Sequence, residues 1–155
     1  MTIDITSWWC NKQLENIMAT FKSDMVSGNQ SFKPFPSGAV GVRYAKINIT
    51  AAPATGDIYQ LVDVFAGETV HDVKIKCSDL DSNGSPEIVF GVGDGADSDY
   101  YIAASNAGQD GSADEQDADV CPKTYSVDDT IDMIVEVDAA TAVSTGTLEM
   151  WVYIS

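Results

Sequence analysis

The feature that most constrains this chain is a period of two. Near its end Leu148, Met150, Val152 and Ile154 alternate with Thr147, Glu149, Trp151 and Tyr153, and before them Ile131, Met133, Val135 and Val137 alternate around Asp132 and Glu136. Successive side chains of an extended chain point to opposite faces, so each segment reads as a strand with one face in a core. Upstream, His71, Val73, Ile75 and Cys77 share one face against Asp72, Lys74 and Lys76, which directs His71 and Cys77 inward. Val40, Val42 and Tyr44 alternate too, and the phase then slips near Ala45 so that Ile47 and Ile49 continue on the other face. That slip predicts a bulge or bend.

Between these segments lies Pro86 to Ser105. The apolar run Ile88 to Val92 enters a Gly/Asp-rich turn, Gly93 to Asp99, and a second apolar run, Tyr100 to Ala104, leaves it. The first run lacks polar alternation, which predicts a central strand. Asp57 to Phe65 is another apolar run, turned by Ala66-Gly67. A loop is expected over Asn106 to Asp119 and a short strand near Val120 to Tyr125. Short strands at even spacing with Gly/Asp turns mark an all-β fold, so residues 39–155 are expected to form an antiparallel β-sandwich, jelly-roll-like, of about eight strands.

The first 38 residues read differently. Leu14, Ile17, Met18, Phe21 and Met25 recur at three- and four-residue spacing, which predicts a helix over about residues 8–26, capped by Thr6 or Ser7 and ended at Ser27-Gly28-Asn29. From Gly28 to Gly38 the chain has no period and carries Pro34 and Pro36, an extended connector. The organisation expected is an arm, 1–38, and a body, 39–155. Trp8 and Trp9 point in different directions on a helix, so they either close the core of this chain or anchor it in a partner.

With 155 residues the chain fits one domain with a real core. Its 24 acidic against 8 basic residues give a formal charge of -16, which repels phosphate backbones and excludes direct nucleic-acid binding. Cys10, Cys77 and Cys121 form no C-x-x-C pair, and free thiols are expected. The start of the chain lacks the basic and apolar regions of a signal peptide, and no run is long enough to span a membrane, so a soluble protein of cytoplasmic origin is expected.

Two acidic clusters invite a metal reading. Asp79-Leu80-Asp81-Ser82-Asn83-Gly84 matches the opening of an EF-hand loop, but loop position twelve is Phe90 where a bidentate carboxylate is required. A hairpin turn and an irregular Ca²⁺ site with Glu87 both fit. Asp94, Asp97 and Asp99 are weak Ca²⁺ candidates beside the simpler reading of a solvated turn. No other cofactor is indicated. From Cys77 to Pro122 there are eleven Asp/Glu and not one Lys or Arg, so the acidic loops face a different neighbour, or only solvent, from the arm and first strands. His71 is the only histidine and no nucleophile-elbow or phosphate-cradling sequence occurs; no enzyme is expected.

Phe35-Pro36-Ser37-Gly38-Ala39-Val40, then Gly56 to Val70, Phe90-Gly91-Val92-Gly93-Asp94-Gly95 and the closing Thr145 to Ile154 together resemble a layout of structural proteins of tailed bacteriophages, over about three quarters of the chain. The resemblance implies a β-sandwich of the capsid-decoration or cement type on the outer surface of the virion. It implies a homotrimer that bridges neighbouring major capsid subunits. Trp8, Trp9, Phe32 and Phe35 are the expected capsid contacts, because an apolar arm on a proline connector can reach a neighbour. The alternative is a receptor- or carbohydrate-binding module of a tail fibre or spike, with Tyr100, Tyr101, Trp151 and Tyr153 as stacking faces.

Overall fold

A computed structural model describes residues 18–28 and 38–155. Its strands are β1 (Thr20–Lys22), β2 (Gly41–Ile49), β3 (Ile58–Val64), β4 (Thr69–Cys77), β5 (Val89–Gly93), β6 (Ile102–Ser105), β7 (Ala113–Glu115), β8 (Lys123–Thr124), β9 (Asp129–Val137) and β10 (Gly146–Ile154), with one short helix, α1 (Ala107–Asp110). They form two sheets, one in the order β1-β3-β9-β5-β6 and the other β2-β10-β4-β7, with β8 added to β4. All pairings are antiparallel except β1 with β3. From β2 to β5 the chain crosses between sheets at every step; β2 pairs with β10, and β3 with β9. This is the connectivity of a double-sheet jelly roll.

The period-two alternation is realised in β9 and β10. Ile131, Met133 and Val135 from one sheet and Leu148, Met150, Val152 and Ile154 from the other are buried in a single core with Leu61, Phe90 and Ile75. Removing this much apolar surface from water is the main driving force for closing the two sheets on each other. β5 lies inside its sheet between β9 and β6, as its unbroken apolar run requires.

Four expectations need correction. The helix expected over 8–26 does not continue through its described part, and residues 8–17 lie outside the described residues. Thr20–Lys22 is instead a strand parallel to β3, and turns occupy residues 24–28. Phe21 stacks on Tyr59 with centroids 4.9 Å apart, and Ser23 Oγ donates to Leu61 O at 2.5 Å. Helical spacing of Phe21 and Met25 is outweighed by tertiary context: both pack against the body's core, and β1 satisfies backbone groups that β3 would leave open at a sheet edge.

The phase slip expected near Ala45 does not occur. β2 holds one phase throughout, with Arg43, Ala45, Ile47 and Ile49 buried and Val42 and Tyr44 exposed. Arg43 can face inward because Glu68 accepts its guanidinium, at 2.8 Å on Oε2 and by a second bond on Oε1, while Asp63 O accepts another at 2.5 Å. A paired guanidinium costs far less to bury than a bare one.

His71 is exposed, not inward. The β4–β10 register shifts here, with Asp72 opposite Tyr153 but Val70 opposite Ile154, so His71 is the extra residue of a bulge and meets Ser155 Oγ at 2.8 Å. Finally, the expected loop over Asn106 to Asp119 contains α1 and the edge strand β7, while the segment near Val120 to Tyr125 supplies only the two-residue β8.

Candidate interaction surface

The two aspartate clusters prove to be joints of the fold. In the first, Asp81 is buried and its carboxylate accepts four backbone N–H groups: from Asn83 at 3.3 Å and Thr141 at 2.8 Å on Oδ1, and from Glu87 at 2.8 Å and Ala140 at 2.7 Å on Oδ2. Burial pushes its pKa up, but the four donors outweigh that and bring it down to about 2. Asp79 and Asn83 serve as turn acceptors for the N–H groups of Asp81 and Ser85. The EF-hand-like spelling thus ties the β4–β5 loop to the β9–β10 loop, with N–H groups where a cation would need the same oxygens.

In the second, Asp94 is buried at the start of the β5–β6 turn. Its Oδ1 accepts Ala96 N at 3.0 Å and Asp97 N at 3.2 Å; its Oδ2 accepts Tyr125 OH at 2.7 Å and pairs with Lys123. Tyr125 meets the Tyr101 hydroxyl at 2.8 Å, and the Lys123 ammonium lies 3.8 Å from the Tyr100 ring centroid. Burial raises the Asp94 pKa, and Lys123, Tyr125 and Ala96 more than reverse it. Asp97 and Asp99 are exposed, and their mutual hydrogen bond raises the Asp99 pKa. Among the described residues no group of three or more His, Cys, Asp or Glu is placed to hold a metal ion.

A third carboxylate stands apart. Asp132 projects from the outer side of β9 beside a cavity of about 290 Å³ lined by Ile58, Asp94, Gly95, Ala96, Ser98 and Ile134. Burial pushes its pKa up to about 6, Asp129 and Asp94 add to the rise, and Thr130 and Gln60 oppose it. Its Oδ1 has no hydrogen-bond partner among the described residues.

The expected contacts Trp8, Trp9, Phe32 and Phe35 lie outside the described residues. The four aromatic residues expected as stacking faces are separated. Tyr101 is in the core, and Tyr100 is half-buried with its hydroxyl donating to Val120 O at 3.0 Å. Only Trp151 and Tyr153 point outward, on the second sheet. There the register builds three rows across β2, β10 and β4: Val42–Tyr153–Asp72, Tyr44–Trp151–Lys74 and Lys46–Glu149–Lys76. The Tyr44 and Trp151 rings lie 5.1 Å apart, tilted by 40°, and Tyr44 OH donates to Glu149 at 3.0 Å. Val40, Val42 and Tyr44 are exposed by 58%, 46% and 42%, so the apolar face extends to the edge of the sheet. Sequence reasoning missed Tyr44 because the supposed phase slip put it on the wrong face.

No protein-family profile and no curated protein sequence matches this chain. Its fold is similar to that of solved phage capsid chains. One, in the capsid of Ralstonia phage GP4, aligns at a TM-score of 0.78 with 23% identity, over 88% of this chain and 97% of its own. Another, in the capsid asymmetric unit of cyanophage Pam1, aligns at 0.69 with 24% identity, over 81% and 94%.

Proposed function

We propose that this chain is a non-enzymatic structural protein of a bacteriophage virion, a decoration or cement protein on the outer capsid surface that stabilises junctions between major capsid subunits. The observation that carries the reading is the near end-to-end correspondence of its fold with chains of two phage capsids, covering nearly all of each. Three features of the chain support it. Its buried aspartates serve the fold. The chain carries 24 acids against 8 bases, a strongly negative balance that suits a protein outside a shell of packaged nucleic acid. Its strand order closes two sheets into a body without long unpaired central strands.

In this reading the protein is a homotrimer and the segment before Met18 anchors it, with Trp8 and Trp9, and Phe32 and Phe35 in the connector, as contacts to the shell. The body is the unit from residue 39 onward, to which β1 adds a strand. The test must spare β1, because Phe21 and Ser23 belong to the first sheet. A deletion of residues 1–17 is expected to leave the melting temperature of the body nearly unchanged and to abolish binding to particles stripped of the native protein. Undiminished binding would remove the arm from the account. Immunogold labelling of intact particles tests the location: label is expected over the head, and label confined to the tail overturns the reading.

A further inference from the structure

We propose that the outer face of the second sheet is a binding platform for neutral carbohydrate, formed by Trp151, Tyr44 and Tyr153 with a polar rim of Lys74, Lys76 and Glu115. Three observations carry this. The aromatic residues occupy neighbouring rows of one rigid sheet, with the Tyr44 and Trp151 rings 5.1 Å apart, giving a shallow aromatic floor. A groove of about 460 Å³ lies directly beside Trp151 and is walled by Lys74, Lys76, Ala113 and Glu115. That volume is in the range of small-ligand sites, which combine an apolar floor with a few convergent polar groups.

The charge pattern selects the ligand class. Lys74 is compensated by Glu115 at 3.0 Å and Asp72 at 3.5 Å, and Lys46 by Glu149 at 3.7 Å. Across the three register rows and the adjoining β7, three lysines meet the three carboxylates Asp72, Glu115 and Glu149, and Asp114 adds a fourth at the groove's edge. In a chain of formal charge -16 this face is nearly neutral. It offers a polyanion no uncompensated cluster of positive charge, and a cationic ligand would be drawn to the acidic loops first. A pyranose suits what remains: its C–H face packs on an aromatic ring while its hydroxyls both donate to carboxylates and accept from ammonium groups.

This inference is independent of where on a particle the chain resides, since the isolated protein suffices for the test. A glycan array carrying neutral, sialylated and sulfated oligosaccharides identifies the probe, and calorimetry with the strongest neutral oligosaccharide measures it. The expected result is retention of neutral glycans, with affinity lowered about ten-fold or more by Trp151→Ala and less by Trp151→Phe, which keeps a stacking ring. Lys76→Ala, an exposed rim change, guards against loss of fold and is expected to weaken binding while leaving the melting temperature unchanged. Tyr100→Phe, remote from the face, is expected to bind as the parent does. No binding to any neutral glycan, binding confined to sulfated or sialylated glycans, or affinity indifferent to Trp151→Ala in a folded protein overturns the proposal.

Discussion

Replacing Asp94 by Asn isolates the joint that closes the β5–β6 turn. The amide retains one carbonyl oxygen, so the turn bonds from Ala96 and Asp97 can persist. The bond from Lys123 is lost, because an NH₂ group faces its ammonium where Oδ2 stood, and the Tyr125 hydroxyl exchanges its bond to a charged carboxylate for a neutral one accepted from the amide. Hydrogen bonds to a charged group contribute about 1.5–3 kcal/mol each, so the pair sets an upper limit of about 6 kcal/mol. Lys123 recovers part of this, since its side chain is 23% exposed and it keeps the Tyr100 ring beneath it. The expected loss is about 3 kcal/mol, or about 9 °C in melting temperature for a domain of this size. Equilibrium urea denaturation measures it, with the slope unchanged. Tyr125→Phe removes the hydroxyl that bonds both Asp94 and Tyr101 and is expected to cost about 1.5–3 kcal/mol. A loss below about 1 kcal/mol for Asp94→Asn would refute the reasoning, because the carboxylate would then not hold Lys123 and Tyr125 in place.

Stability should depend on pH in two opposed windows. Asp132 has a folded pKa of about 6, above the unfolded carboxylate value near ~3.9, so folding takes up a proton and stability rises as pH falls from 6 towards 4. Asp81, held at about 2, contributes stability that is present above the unfolded value and lost as pH falls from 4 towards 2. Melting temperature is therefore expected to peak between these windows, and Asp132→Asn to raise it at pH 7 and flatten the upper window; a profile unchanged by that substitution contradicts the assignment. Gly93→Ala would place a Cβ 2.0 Å from the Asp97 carbonyl oxygen, where the turn folds back over β5. It is expected to cost about 3 kcal/mol or more by the same urea assay, and a near-neutral result would mean the turn is free to move away.

The parts of the fold visible in the sequence were those where hydrophobicity alone decides orientation. β10 alternates cleanly because each outward side chain is polar or amphipathic and each inward one apolar, and β9 keeps the same parity with Ile134 as its one apolar outward position. β2 was misread where a charged residue goes inside: the distant Glu68 and the Asp63 carbonyl make Arg43 an interior residue, and no local pattern carries that pairing. His71 was misplaced by a one-residue bulge, which reverses the parity of everything before it. β7 was hidden because its residues, Ala113, Asp114 and Glu115, are polar or small and are strand only through pairing with β4.

The candidate surface was legible by half. Trp151 and Tyr153 follow from the parity of β10. Tyr44 joins them only through the β2–β10 register, and Tyr100 and Tyr101 leave them because the β5–β6 turn packs them against Lys123 and Tyr125. Asp81 was read as part of a hairpin turn, but β4 and β5 lie in different sheets, and two of its four donors, Ala140 and Thr141, come from a loop about sixty residues away, which no motif spells.

The central claim concerns where this chain resides, and the protein composition of purified intact particles tests it most directly. Quantitative mass spectrometry of gradient-purified virions is expected to find this protein at a fixed, high ratio to the major shell protein, constant across fractions and after salt washing. Its absence from intact particles, or a few copies per particle as for a tail component, would contradict the account.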